Sequence, residues 1–348
     1  MTDLGAAVVG CRAVAPLHAR GFVRADGARL VAVCDRDPEA ASTLAGEFGV
    51  DAVTDYEQIL RRDDIQIVSL VTPDELHAPM AIAAAQAGKH VLVEKPFAMT
   101  LAELDTMVAA AESAGVTMMC AQSLRYRPKL RAIRDAIRAG RIGRPVFARM
   151  SSPSSPFWTP EKWAQGGYDA KRGPEWLLMH NGMHQFDYLS MLFESSISEV
   201  YTVSHPGQDW LRVHEYVAVN MQFENGAYAL SEENRIMQPP GHPFHCDFYI
   251  VGTEGTIDAG DRQTFSVCSY SQQGVDFPGA HITSWGAEEA FAGEVQAIVD
   301  AIRTGEEPDI PLAFTRQVLK GLRAACQSFA SGRNVDVAAF VEEGGSIA

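Results

Sequence analysis

The sequence predicts an α/β fold: a doubly wound parallel sheet at the N-terminus, then a second α/β domain dominated by antiparallel strands. Short continuous apolar runs alternate with helical stretches as far as residue 121, the rhythm of repeated βα units. After residue 122 that rhythm gives way to strands in which apolar and polar positions alternate. A chain of 348 residues is also too long for one ordinary core and right for two domains, here 1–122 and 123–348.

The elements follow in order. Residues 5–9 read as a first buried strand, Gly10 turns it, and a helix starts from about Ala13, with Pro16 tolerated only in its first turn. Residues 30–34 form a second strand ending at Asp35, and 65–71 another ending at Thr72-Pro73. Asp74 is placed to cap the alanine-rich helix 75–87, which Gly88 closes. Val91, Leu92 and Val93 then form the run expected of a strand covered on both faces. This strand runs into Glu94-Lys95-Pro96 and so pins Lys95 at its carboxyl end, where open α/β sheets place their chemistry. Pro96 stops the strand and makes Lys95-Pro96 a candidate cis bond. Helix 100–114 and strand 116–121 complete the first domain.

The second domain opens with helix 128–140 and strand 144–150, followed by a Ser/Pro-rich loop at 151–160. Val217, Val219, Met221 and Phe223 alternate with polar or small residues, Asn225-Gly226 supplies a two-residue turn, and 227–234 returns. Strands near 198–204, 244–251, 255–259 and 264–270 extend this antiparallel sheet, and helices 286–304 and 312–331 close the sequence.

Bulk properties narrow the function. A net charge of −15 argues against nucleic acid or an anionic membrane as partner. Six scattered cysteines without a C-x-x-C pair suggest reduced thiols in the cytoplasm. No apolar run approaches a membrane span, and the acidic start does not resemble a signal peptide.

Gly10-Cys11-Arg12-Ala13-Val14-Ala15 sits where a dinucleotide fingerprint belongs, between a strand and a helix whose N-terminus offers N–H groups to a pyrophosphate. Arg12 stands where the second glycine is expected, either as a solvated side chain or as a cation near the phosphates. Asp35, ending the next strand, is placed to accept from both adenosine ribose hydroxyls and favours NAD over NADP, although Arg36 beside it suits a 2′-phosphate or an adenine ring.

A second constellation lies on 175–193, a helix apolar almost all round and opened by Gly173-Pro174. His180, His184 and Asp187 fall at i, i+4 and i+7 on one face. Satisfied core histidines, a metal site and a catalytic acid/base histidine are the competing readings. Asn181 replaces the glutamate of a zinc-peptidase motif, which weakens the metal reading. Gly182 between the histidines suggests close approach by a ligand or another backbone.

These residues together resemble the glucose–fructose oxidoreductase / inositol dehydrogenase / rhizopine catabolism (Gfo/Idh/MocA) family along essentially the whole chain. The resemblance is carried by Val9-Gly10-Cys11 with His18, by Thr72-Pro73-Asp74-x-x-His77, and by Ala87 to Pro96. Leu178-x-x-x-Gly182-x-His184-x-x-Asp187 and Ile250 to Gly255 carry it downstream. The resemblance implies a Rossmann domain, a second domain whose open sheet often mediates oligomerisation, and NAD(P) chemistry on sugars, cyclitols and related polyols. It makes Lys95 the catalytic lysine and His184 the catalytic histidine. It places Thr72, Pro73, His77, Glu94 and Gln122 near the nicotinamide half of the cofactor, and Arg125 within reach of substrate. His180 departs from the family, many of whose members carry an aspartate there.

The mechanism expected is hydride transfer from a secondary alcohol, with neutral His184 as base and Lys95 donating to the same oxygen; no metal is required. His180 and His184 should titrate as a coupled pair, giving a working pH at neutrality or above. Trp158, Trp163, Tyr168 and Arg172 lie in the loop before the histidine helix, where Trp163 and Tyr168 can stack on a sugar ring or pack the domain junction. The expected assembly is a homo-oligomer, dimer or tetramer. The rival functions are a reductase of a non-sugar carbonyl or imine, an NAD-assisted lyase, a non-catalytic dinucleotide sensor, and a metalloenzyme on the two histidines.

Overall fold

A computed structural model describes residues 3–153, 175–207, 214–234, 247–260, 266–269, 272–276 and 286–342. The first elements are β1 (Leu4–Val9), α1 (Ala15–Arg24), β2 (Ala28–Cys34), α2 (Pro38–Phe48), β3 (Asp51–Val53), α3 (Tyr56–Leu60) and β4 (Ile67–Leu70). There follow α4 (His77–Gln86), β5 (His90–Val93), α5 (Leu101–Ala114), β6 (Met118–Cys120), α6 (Pro128–Arg138) and β7 (Pro145–Pro153). Then come α7 (Met183–Phe193), β8 (Ile197–His205), β9 (Tyr216–Phe223), β10 (Tyr228–Asn234), β11 (Asp247–Gly252) and β12 (Gly255–Asp258). The last are β13 (Ser266–Ser269), β14 (Gln272–Asp276), α8 (Ala287–Thr304), α9 (Leu312–Ser331) and β15 (Val335–Asp336).

The chain divides into two compact units, Met1–Arg127 with Gly286–Arg316, and Pro128–Trp285 with Gln317–Ala348. In the first, six parallel strands lie in the order β3-β2-β1-β4-β5-β6. The order reverses between β1 and β4, so the sheet is doubly wound with its switch point there. Ala6, Ala7 and Val8 of β1, Ile67, Val68 and Leu70 of β4, and Val91, Leu92 and Val93 of β5 have no exposed surface, as their unbroken apolar runs require. Asp37 caps α2 by accepting from Glu39 N–H, and Thr100 with Glu103 forms a capping box on α5.

Two expectations for helix starts are corrected. Asp74 does not cap α4; it is buried and opens a 3₁₀ turn, Asp74–Leu76, from which α4 starts at His77 without a side-chain cap. The first helix begins at Ala15 rather than Ala13, because Ala13 takes a left-handed φ of 46°. The helix expected at 286–304 is α8, and it belongs to the first unit. It packs tightly there: a Cβ on Gly21 of α1 would lie 2.8 Å from Val295, and one on Gly293 would lie 2.9 Å from Tyr126.

The second unit carries a nine-stranded sheet, order β14-β13-β12-β11-β7-β10-β9-β8-β15. Its pairings are antiparallel except β7 with β10. The β9–β10 hairpin pairs Gln222 with Tyr228, and Phe223 N–H donates to the Ala227 carbonyl, so three residues, Glu224, Asn225 and Gly226, close it rather than the two expected; Val217, Val219, Met221 and Phe223 face the core as their alternation requires. No helix among the described residues is long and apolar enough to cross a membrane.

Candidate active site

At the switch point the chain is shaped by backbone needs. Gly10 has φ +92°, and a Cβ there would lie 2.2 Å from the carbonyl oxygen of Val71, so β1 and β4 can release their loops side by side only at a glycine. The next residue donates its backbone N–H from Cys11 to Asp35 Oδ2 at 2.9 Å, while Asp35 Oδ1 accepts from Asp37 N–H at 3.0 Å. Asp35 thus braces the fingerprint loop as well as standing at the position expected of a ribose acceptor, a dual use that the spacing did not reveal. Cys11 and Cys34 lie beside it, and burial, aided by the Asp35 charge, pushes each thiol up to about 12, which leaves them inert. Arg12 is exposed and pairs with Asp37. The N–H groups of Glu39 and Ala40, helped by Arg12, hold the Asp37 carboxyl below its ordinary value. Arg36 is exposed.

The fingerprint loop fits a dinucleotide. Val14 precedes α1 without a side-chain cap, and the first turn is closed by backbone: Ala15 N–H donates to the Arg12 carbonyl and Leu17 N–H to the Val14 carbonyl, each at 2.9 Å, while Pro16 has no N–H, so what this helix end presents to an anion is its dipole. Across the switch point, Thr72 Oγ1 is buried with no hydrogen-bond partner among the described residues, beside an exposed Pro73. A polar ligand group at the end of β4 would satisfy it.

The carboxyl end of β5 is held from three sides. The Lys95-Pro96 bond is cis, as the sequence suggested. His77 Nδ1 lies 2.8 Å from the Pro96 carbonyl and its Nε2 lies 2.9 Å from the Thr72 carbonyl, so this ring staples the loops after β4 and β5 together. Glu94 Oε2 accepts the Lys95 backbone N–H at 3.0 Å, and Glu94 Oε1 lies 2.9 Å from His18 Nε2. Lys95 itself is half-buried. His77 and Glu94, expected near nicotinamide, are therefore anchors of the loops that carry Lys95.

Gln122 is buried just after β6. Arg125, expected to reach substrate, is also buried: its guanidinium stands 4.5 Å over the Phe314 ring and donates to the Asp309 carbonyl at 3.3 Å. These contacts commit it to the core of the first unit. Tyr126 beside it donates to Asp309 at 3.0 Å, and burial raises its hydroxyl well above the ordinary value.

In the second unit the histidine helix departs from simple periodicity. Leu178–Gly182 is a π-helical turn leading into α7. His180 stacks on Trp176 at 4.7 Å and 17°, and a Cβ on Gly182 would lie 3.1 Å from Leu178 Cδ1. The atoms nearest a Cβ at Gly182 thus belong to side chains, first of its own turn, and not to the second backbone that the sequence suggested. His180 and His184 are half-buried while Asp187 is buried. Between the histidine and the sheet lies Gln185, which sequence reasoning missed. Its Nε2 lies within hydrogen-bond distance of Glu233 Oε1 (2.6 Å), the Glu232 carbonyl (3.0 Å) and Ser152 Oγ (3.2 Å), and its Oε1 accepts from Ser231 Oγ (2.7 Å). This buried network locks α7, and with it His184, to β7 and β10. Trp158, Trp163, Tyr168, Arg172 and the Gly173-Pro174 helix start lie outside the described residues.

Comparison with known proteins agrees with this architecture. Residues 4–122 match the family described as an oxidoreductase family with an NAD-binding Rossmann fold, and residues 130–258 match the GFO/IDH/MocA C-terminal domain. A 1,5-anhydro-D-fructose reductase of Ensifer adhaerens is 33% identical over 72% of this chain and 74% of its own. A scyllo-inositol 2-dehydrogenase (NAD(+)) of Bacillus subtilis strain 168 is 26% identical over 95% of each chain. Among solved structures, levoglucosan dehydrogenase in complex with NADH and levoglucosan superposes with a TM-score of 0.82 at 26% identity, covering 97% of this chain and 100% of that one. With a doubly wound N-terminal sheet, a braced Glu-Lys-Pro loop and both halves matched, the chain belongs to the Gfo/Idh/MocA family of oxidoreductases.

Proposed function

We propose that this chain is an NAD-dependent dehydrogenase acting on a secondary alcohol of a sugar, cyclitol or glycoside, with Lys95 and His184 as its reacting side chains. The observation that carries the reading is the placement of Lys95 at the carboxyl end of β5, its backbone held by Glu94 and its loop stapled by His77. The dinucleotide supplies the hydride acceptor. Lys95 donates a hydrogen bond to the substrate oxygen and stabilises the negative charge that grows there. His184, neutral, takes the hydroxyl proton. His180, one turn earlier, tunes that base, and the absence of a carboxylate at its position favours the neutral imidazole. Gly10, Arg12, Ala13 and Val14 serve the pyrophosphate, Asp35 the ribose, and Thr72 and Gln122 the nicotinamide end. In this reading residues 1–122, joined by the returning segment 286–316, form the dinucleotide domain, and the rest of 123–348 binds substrate and assembles the oligomer.

The neighbours support the substrate class, since named relatives act on an anhydrofructose and an inositol. A homo-oligomer, dimer or tetramer, is supported by Val203, Tyr228 and Tyr249, which expose 42, 36 and 43% of their surface on β8, β10 and β11. A cytoplasmic location is supported by free thiols at the five described cysteines. An absorbance screen of NAD and NADP against sugars, inositols and their keto forms tests the reading. Turnover of at least one polyol, with NAD preferred, is expected. Cofactor binding with no turnover across a broad panel would favour the sensor, and a product formed without net NAD reduction would favour the lyase.

A further inference from the structure

Behind Lys95 lies a fully buried group of three titratable side chains from three distant elements of the first unit. His18 of α1 and Glu294 of α8 have no exposed surface, and Glu94 has 8%. His18 Nε2 stands 2.9 Å from Glu94 Oε1 and 3.8 Å from Glu294 Oε1, while His18 Nδ1 lies 3.0 Å from Ser69 Oγ of β4. One ligand-type atom from each of the three lies within 4.8 Å of the others. Phe291, one turn before Glu294, closes over the imidazole edge-on at 5.1 Å. Neither carboxyl oxygen of Glu294 has a hydrogen-bond partner among the described residues.

One ring nitrogen cannot serve two carboxylates at hydrogen-bond distance. The geometry gives Nε2 to Glu94 and leaves Glu294 about a third longer away, in a dry site where a second negative charge has no compensation. Metal coordination is a poorer account of the same cluster, because both nitrogens of His18 already face hydrogen-bond partners. We propose that Glu294 is a positioning residue for Lys95: a neutral, protonated carboxyl that leaves His18 to Glu94, so that Glu94 can hold the Lys95 backbone N–H. The inference rests on the reading of Lys95 as the reacting lysine.

The charged and titratable groups around Glu294 are His18 from α1, Glu94 from the end of β5, and Tyr126 and Arg127 from the segment after β6. Burial first, and the Glu94 charge second, raise the Glu294 carboxyl well above its ordinary value against the opposing pull of Arg127. When Glu294 does ionise, it competes for the His18 N–H, Glu94 loses that partner, and the brace on Lys95 slackens.

The test pairs a spectroscopic readout with kinetics. Infrared difference spectra between wild type and Glu294→Gln at pH 7, without substrate or cofactor, are expected to show a protonated carboxyl stretch that the variant lacks. Wild-type chain carrying ¹³C-glutamate reports the same band should the variant fail to fold. Glu294→Gln, which keeps shape and neutrality, is expected to hold kcat within about twofold at pH 7 and to lose an alkaline limb present in wild type. Glu294→Ala is expected to lower kcat about tenfold with KM for NAD unchanged, as misplacement of a reacting group does. An ionised carboxylate at pH 7, an alkaline limb unchanged in Glu294→Gln, or a stoichiometric metal lost on that substitution would overturn the proposal. The two readings fail separately. Full turnover by Lys95→Ala would remove the functional reading, and the positioning role with it, while leaving the infrared band in place. An inactive Lys95→Ala with no band would remove the positioning role alone.

Discussion

The two halves of the proposed machinery are held by different means. At the carboxyl end of the parallel sheet the fixing bonds run to backbone: Asp35 to Cys11 N–H and Asp37 N–H, His77 to two carbonyls, Glu94 to Lys95 N–H. On the histidine helix most run between side chains, from Gln185 to Ser152, Ser231 and Glu233, joined by bonds from the same amide to the Glu232 backbone. Backbone bracing fixes a loop whatever its side chains present, which suits a constant dinucleotide. Side-chain bracing fixes one helix against one sheet and leaves the half-buried His180 and His184 in surroundings that can vary with substrate.

This contrast predicts graded effects. Gly10→Ala should do most damage, because it needs a positive φ and drives a methyl group into the Val71 carbonyl. We expect a stability loss of about 3 kcal/mol in urea denaturation, together with lost NAD affinity. Unchanged NAD affinity would mean that the loop tolerates displacement and that its backbone shape is not decisive. Gln185→Leu should come next. It takes the Gln185 amide away from the buried Ser231 hydroxyl and Glu233 carboxylate, at a cost of about 2 kcal/mol, and should lower kcat by loosening the support of His184. A stability loss with unchanged kcat would separate the network from catalysis.

The smallest effect is a slope. Glu294 carries a raised carboxyl in the folded chain, whereas an unfolded glutamate titrates near 4.5. Between those values the folded chain holds a proton that the unfolded chain lacks. Stability from this group is therefore complete below the unfolded value and falls as pH rises toward the folded one. Wild type should lose stability more steeply with rising pH than Glu294→Gln across that window. Parallel stability curves would show that the carboxyl is ionised in the folded chain.

Much of the first unit was legible because its signals are local. The Val91-Leu92-Val93 run ending in Glu94-Lys95-Pro96 states strand, end and loop in six residues, and Asn225-Gly226 does the same for the β9–β10 hairpin. The π turn at Leu178–Gly182 was not legible: helical spacing marks which residues share a face, but not where packing of Trp176 on His180 accompanies an unwound turn. β3 and β15, at three and two residues, are too short to show a period. The His18–Glu94–Glu294 group was hidden for another reason. Its members come from α1, the end of β5 and α8, and no spacing rule joins side chains that only the tertiary fold brings together. His18 was marked only by family resemblance, and Arg125 looked available for substrate because nothing local announced Phe314 beneath it.

The most direct test of the central claim is to measure NAD binding and turnover in Lys95→Ala on whichever polyol the screen identifies. A fall in kcat of about 10²- to 10³-fold, with NAD dissociation constant within about threefold of wild type, is the predicted result. Turnover near the wild-type rate would contradict the account, because it would leave the residue whose backbone Glu94 holds, in the loop that His77 staples, with no part in the reaction.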